Sequence, residues 1–297
     1  MARNLESIYA RGLKKGDSTW DPFEHGISVS LMKDWMACRE LAMYRVSGLR
    51  EKTPSFALTY GIIVHDVMQR VHAAIVAKQL KKSPTSQQIK TWVKETEVVW
   101  RKRNTNPSPR ALQNLELSLV FADAVLPIYY EFWKASFKTM AFVSCEEFFR
   151  VPMELRHGKV VPFIGKYDAV FQEDKRYWLL ETKTKSRIDE ESIGDMLPMD
   201  FQSNSYLVSL RYRYKAAVAG SVYNVIRRPG LRQGKAEGIV AYANRCAKDV
   251  DARPDFYFLR YRNRVVKSDL DAAEAELVEV MTEVTRWWDK SIGHYRN

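Results

Sequence analysis

The chain has 297 residues, 46% of them hydrophobic, enough to bury a sizeable core in one large domain or two small ones. Its 47 Lys and Arg against 36 Asp and Glu leave a formal charge of +11, an excess that favours polyanionic partners. Three scattered cysteines without a CxxC pair weigh against a disulfide framework, a zinc site or an iron–sulfur cluster, and no run nears the roughly 18 apolar residues of a membrane span.

Met1–Lys15 mixes Arg, Lys and Glu without an apolar run, so no secretory signal is read there and the cytoplasm is the expected location, with no membrane partner. Ile27–Leu49 opens with Ser28 and Ser30, either able to cap a helix, and carries Leu31, Trp35, Cys38, Leu41 and Tyr44 at helical spacing. Lys52–Ser55 reads as a loop around Pro54. Tyr60–Leu80 is amphipathic, with Ile63, Val67, Val71 and Ile75 recurring on one face. A polar linker, Lys81–Ser86, leads to helices over Ser86–Arg103 and Arg110–Ala135, separated by Asn104–Pro109.

Near Met140 the pattern changes. Phe142–Met153, Val160–Phe171 and Tyr177–Lys183 are rich in Val, Phe and Tyr and punctuated by turns, which predicts strands. Met199–Lys215 is predicted helical. Ser221–Arg227 is a strand ending at Pro229 and Gly230, Gly234–Val250 a helix, Phe256–Val266 a strand and Leu270–Ile292 a long terminal helix. Helices first, then a hairpin, then alternation predicts an α/β (α+β) fold with a central mixed sheet flanked by helices. No linker divides it, so one domain over 1–297 is expected: helical over 28–139, a sheet-containing core over 140–266, and a C-terminal helix over 267–292.

The charged turn Glu173–Arg176 joins two apolar runs into a hairpin. With that turn Gln172 faces Tyr177, and Asp168 falls opposite Glu181 with Lys183 on the same face. Opposed side chains have Cβ atoms roughly 4.5–5.5 Å apart, and two carboxylates so close repel unless something neutralises them. A divalent cation would do so, hard oxygen ligands suiting Mg²⁺ or Mn²⁺, and Lys183 would orient and deprotonate a nearby water. The other reading is a solvent-facing hairpin in which Lys183 simply pairs with Glu181. The apolar flanks Ile164, Val170, Trp178 and Leu180 point instead to a buried setting.

Gly165-Lys-Tyr-Asp168 followed by Glu181-Thr-Lys183 resembles the split acid and E-x-K motif of the PD-(D/E)XK nuclease superfamily. Gly61-Ile-Ile-Val-His65 upstream is similar to the G-x-x-x-H of its RecB-type branch, and Gln202-Ser-Asn-Ser-Tyr206 downstream to that branch's Q-x-x-x-Y. Ser28-Val-Ser-Leu leading into Cys38-Arg-Glu is similar to the branch's opening helix, and these motifs follow the branch's order.

The resemblance implies a restriction-endonuclease-like core and a divalent-metal-dependent DNA nuclease. The branch is RecB-like, commonly exonucleolytic, here similar to stand-alone bacterial or phage forms acting in recombination, repair or phage DNA processing. It implies His65, Asp168, Glu181 and the Thr182 carbonyl as ligands for one or two Mg²⁺ or Mn²⁺ ions, and Lys183 as the catalytic lysine. Gln202 and Tyr206 would orient the substrate and the region of that lysine. Relatives with an iron–sulfur cluster use one early and three late cysteines; Cys38 stands early but only Cys246 follows the core, so no cluster is expected. No G-x-x-x-x-G-K-[ST] loop fuses a helicase motor to the chain. The implied substrate is single- or double-stranded DNA with ends, and a second copy or a recombination protein are the partner classes. A site-specific endonuclease and a DNA-binding scaffold without hydrolysis are the alternatives.

His72 lies seven residues past His65, about 10.5 Å along a helix, too far to share one metal with it, and is read as structural. Arg211, Arg213 and Lys215 interleave with Tyr212 and Tyr214, which suits a nucleic-acid strand, or else one helix with aromatic residues inside and cations outside. Lys185 and Arg187, just past Lys183, are better placed to hold the scissile phosphate, with Arg227 and Arg228 lining the same cleft. Trp287 and Trp288 would anchor the terminal helix or face a partner protein.

Overall fold

The computed structural model describes residues 20–49, 54–80, 83–215 and 217–289. Met1–Lys15, positions 52–53 of the expected loop, 81–82 of the linker and 290–292 of the expected terminal helix lie outside the described residues.

A short helix, α1 (Pro22–His25), and a two-residue strand, β1 (Ile27–Ser28), precede the first long elements. The Ser28 hydroxyl accepts the Leu31 N–H at 3.3 Å and starts α2 (Val29–Ala37). Cys38 then adopts extended backbone, so the single helix expected over 27–49 is two, with α3 spanning Arg39–Val46. Ser55 caps α4 (Phe56–Val76), a Thr85–Gln88 capping box opens α5 (Ser86–Arg103), and Ser108 with Pro109 opens α6 (Pro109–Phe132). These three pack on one another through Tyr60, Val67, Ile89, Leu115 and Val125. By length and composition alone α6 could cross a membrane, but its stripe from Leu115 to Tyr129 is buried against α4 and α5, as in a core helix.

After α7 (Ser136–Thr139) come β2 (Ala141–Cys145), β3 (Phe148–Glu154), β4 (Val160–Lys166), β5 (Ala169–Glu173) and β6 (Arg176–Lys185). Helix α8 (Glu190–Met196), a 3₁₀ turn and α9 (Phe201–Tyr214) carry the chain over to β7 (Val218–Arg227). Then follow α10 (Ile239–Ala252), α11 (Pro254–Tyr257), β8 (Phe258–Arg264) and α12 (Lys267–Asp289). The fold is mixed α/β, with helices flanking two mixed sheets rather than the one expected: β1-β4-β3, and β2-β5-β6-β7-β8. β6 and β7 run parallel, as their helical crossover requires, and the hairpin neighbours antiparallel.

The second sheet arises because two expected strands each change sheet part-way. Phe142–Met153 divides into β2 and β3 at Glu146-Glu147, and Val160–Phe171 into β4 and β5 at Tyr167-Asp168. The two breaks are level: the Glu146 N–H donates to the Asp168 carbonyl and the Tyr167 N–H to the Glu147 carbonyl, both at 3.0 Å. Tyr167 anchors the jog, stacked on Phe149 at 4.6 Å with its hydroxyl 2.8 Å from Ser209 Oγ.

The β5–β6 register is the expected one, Gln172 against Tyr177. The turn is shorter than expected, because Glu173 pairs with Arg176 and only Asp174 and Lys175 turn, both at positive φ as a two-residue hairpin demands. Val170 and Leu179 face the core shared with α2, α9 and α12; Phe171, Trp178 and Leu180 face the other way.

Candidate active site

The ladder between β5 and β6 ends at Ala169–Leu180, one step before Asp168 would meet Glu181. Asp168 sits in the jog instead, and its Oδ2 accepts the Thr182 N–H at 2.8 Å. Its other oxygen lies 3.4 Å from His65 Nδ1, on α4. Helix α4 comes this close to β6 because of Gly61: a Cβ there would stand 3.1 Å from Thr184 Oγ1. One turn later the helix delivers His65. Thr182 is fixed from behind, its Oγ1 accepting from Asn224 Nδ2 at 3.2 Å, while Asn224 Oδ1 accepts from Tyr129 and Arg260.

Glu181 is 3% exposed. Its Oε1 accepts from Lys183 Nζ at 2.5 Å and from Gln202 Nε2 at 2.7 Å. Its Oε2 is buried with no hydrogen-bond partner among the described residues. An unsatisfied carboxylate oxygen is costly to desolvate. Burial, followed by the Asp168 charge, accordingly raises the Glu181 carboxyl above the usual carboxylate range. Burial also opposes ionisation of Asp168, but His65 and the Thr182 N–H outweigh it and hold this acid below its ordinary value. For Lys183 burial works against the charge, and Glu181 and Asp168 overcome it, keeping the ammonium protonated. His65 is raised in the same way, burial being outweighed by Asp168.

Two further residues join the site without having been singled out in the sequence. One ligand atom each from His65, Glu146 and Asp168 lie within 4.8 Å of one another. Glu146 occupies the β2–β3 break at φ 48° and pairs with Lys166. Burial raises its carboxyl against the pull of Lys166. The only signal was two adjacent acids between strand-like runs. Lys33 of α2 donates to Gln202 Oε1 at 3.4 Å, bracing the amide that holds Glu181; one lysine in a helical stretch gives no sequence signal.

The structure brings together His65, Asp168, Glu181, Thr182, Lys183 and Gln202. Tyr206 stands edge-on to Phe149 and Tyr167 beneath the jog, over Gly165, whose Cβ would stand 3.1 Å from the Tyr206 ring. Burial, then the Glu181 charge, pushes its phenol up to about 12. Lys185 Nζ lies 5.3 Å from the centre of the Tyr223 ring, and with Arg187 lines a cavity beside the site. Arg228 lies over Phe56. Arg227 is nearly buried, paired with Glu190 and stacked on Phe256 at 3.8 Å. Arg211 pairs with Asp271 and Glu274 of α12, and Arg213 with Glu147; Tyr214 is half-buried but Tyr212 is exposed, so the alternative of aromatic residues inside and cations outside holds only in part. His72 is buried and stacked on Phe142 at 4.7 Å. Trp287 and Trp288 are buried and anchor α12.

Two kinds of donor converge here: the carboxylates of Glu146 and Asp168, with Glu181 beside them, and the imidazole of His65. That set fits a divalent cation, and the unpartnered Glu181 Oε2 is the atom that gains most from one.

Comparison with known proteins gives the same outline. A family model described as the PD-(D/E)XK nuclease superfamily matches residues 26–289. A solved structure from Eubacterium rectale, named "Putative exonuclease", aligns at 13% identity over 100% of this chain and 90% of that one, with a TM-score of 0.50, a likeness of fold alone. The structure of SSO0001 aligns at 14% identity over 90% of this chain and 87% of that one with a TM-score of 0.32, too low to bear on the argument. None of the curated proteins matches the chain.

Proposed function

Because the chain belongs to the PD-(D/E)XK nuclease superfamily, we propose that it hydrolyses DNA phosphodiesters from an end, as an exonuclease of the RecB-like branch without an iron–sulfur cluster. The observation that carries this is the buried, unpartnered Glu181 Oε2 beside Asp168, with Lys183 on the same strand. His65, Asp168, Glu181 and the Thr182 carbonyl would hold one or two Mg²⁺ or Mn²⁺ ions, with Glu146 within reach of the same position. Such an ion polarises a phosphoryl oxygen and stabilises charge developing on oxygen. The chain's own residues do the rest. Asp168, fixed by the Thr182 N–H, and Glu181, fixed by Gln202, set the ligand positions before substrate arrives. Lys183, held as the ammonium, would orient the attacking water and the phosphate by donating hydrogen bonds, rather than deprotonate the water as expected from the sequence. Lys185 and Arg187, at the cavity beside the site, would hold the scissile phosphate.

The order of motifs from Gly61 to Tyr206 supports the RecB-like reading, and the excess of cations supports nucleic acid. Recombination, repair or phage DNA processing are the processes in which such an activity serves. The test is digestion of end-labelled single- and double-stranded DNA beside closed circular DNA, with Mg²⁺ or Mn²⁺ and with EDTA. Expected are loss of linear DNA only with metal, intact circles, and a rate at least about 10²-fold lower for Lys183→Ala. Circles cut at discrete positions would make the chain an endonuclease; metal-independent binding without cleavage would make it a scaffold.

A further inference from the structure

Next to the Glu181–Lys183 pair opens a cavity of about 440 Å³, within the roughly 300–1,000 Å³ of small-molecule sites. Its walls are immediate neighbours of the active residues. Tyr223 of β7 stands level with Glu181 of β6, and level residues on adjacent strands share a face. Lys185 follows Lys183 by two residues on that face, and Phe201 adjoins Gln202.

We propose that this cavity seats one unpaired nucleobase of the substrate strand, beside the scissile phosphate; the proposal rests on the nuclease reading above. The floor is apolar: Tyr223 clusters with Ile193 and Leu197. Lys185 Nζ lies 5.3 Å from the centre of the Tyr223 ring, so a base would reach that aromatic face by displacing this flexible side chain; stacking there tolerates any base. Met196 and Met199, 61% and 74% exposed at the mouth, are flexible thioether side chains that adapt to what they cover. The rim is cationic. Lys185 and Arg187 form no ion pair with any described residue, in contrast to Arg211 and Arg227. The two acids at the cavity are engaged: Asp189 caps α8, and Asp200 caps α9, accepting the Ser203 N–H at 2.8 Å, and pairs with Lys33 at 3.8 Å, so neither answers Lys185 or Arg187. An apolar ligand would leave the two cations unanswered, and a phosphate alone would leave the floor bare. A nucleotide answers both. A base stacked within a duplex cannot enter, so the strand must be single at this point.

The test uses the full chain in EDTA, where cleavage is suppressed, with fluorescence anisotropy of single-stranded oligonucleotides carrying one abasic site stepped along the strand. One position should weaken binding by roughly 5–100-fold, the rest little. In Tyr223→Leu that step should fall to near one; in Arg187→Ser all affinities should drop while the step persists. Should Tyr223→Leu fail to fold, Met196→Asp at the exposed mouth should shrink the step likewise. A protein that binds and cuts single strands with equal affinity along the series, or a step that survives both floor variants, overturns the base site and leaves the nuclease standing. Failure to bind or cut any nucleic acid overturns both.

Discussion

On α4 two histidines seven residues apart meet opposite surroundings, and their chemistry separates accordingly. His65 faces Asp168 and is drawn toward its charged form. His72 is buried against Phe142; burial first, then the Arg260 charge, pushes its imidazole down to about 3. The linkage has a definite sign. The unfolded chain takes up a proton near pH 6.5, whereas the folded chain refuses it until about pH 3, so stability is present above 6.5 and is lost as pH falls toward 3. By pH 4.5 the loss from this residue alone comes to about 3 kcal/mol. Denaturant unfolding of the wild type and of His72→Leu at pH 7 and pH 4.5 isolates it, other groups cancelling in the difference. The variant should lose about 3 kcal/mol less than the wild type on acidification; equal losses would show that His72 does not stay neutral.

At the scale of elements, what could be read from the sequence was what local chemistry writes down. Helices α5 and α9, opened by Thr85 and Asp200, came out nearly where predicted, whereas the short Asp-capped helices α1 and α8 were not predicted, and the hairpin register survived a wrong turn length because alternation fixes it. The jogs were hidden. Backbone passing from one sheet to another keeps its extended character and its apolar alternation. No Gly or Pro marks Glu146-Glu147 or Tyr167-Asp168, and a glutamate at positive φ carries no sequence flag. Glu146 was missed for that reason, and the Cys38 break in the first helix for the same one. Gly61 shows the reverse case, a visible residue whose purpose needed the structure. A glycine inside a helix costs roughly 1 kcal/mol relative to alanine; here it lets α4 lie on Thr184 and bring His65 to Asp168. Gly61→Leu should lift the helix from β6. Mn²⁺ binding followed by calorimetry should weaken by about tenfold or more, with helix content by circular dichroism unchanged. Wild-type Mn²⁺ affinity in this variant would mean that His65 does not contribute to the centre.

The whole molecule carries a formal charge of +11, yet its cations are not equivalent. Arg211, Arg213, Arg227 and Arg262 are held by Glu or Asp partners and contribute little net field. Lys185, Arg187 and Arg228 form no ion pair among the described residues and gather where β6 and β7 end. Lys33 is held by Asp200 and is not counted with them; about three phosphate contacts on a single strand give a slope of log affinity against log salt near −2.1, or about a 20-fold loss between 50 and 200 mM. Arg187→Ser should reduce that slope by about 0.7. Arg211→Ser should leave it unchanged, since Asp271 and Glu274 already cancel that charge and its loss is felt only where α9 packs on α12. The measurement is oligonucleotide affinity in EDTA at four or five salt concentrations. If Arg211→Ser flattens the slope as much as Arg187→Ser does, the strand runs along the interleaved Arg and Tyr face of α9, and the cavity beside Lys185 is not its path.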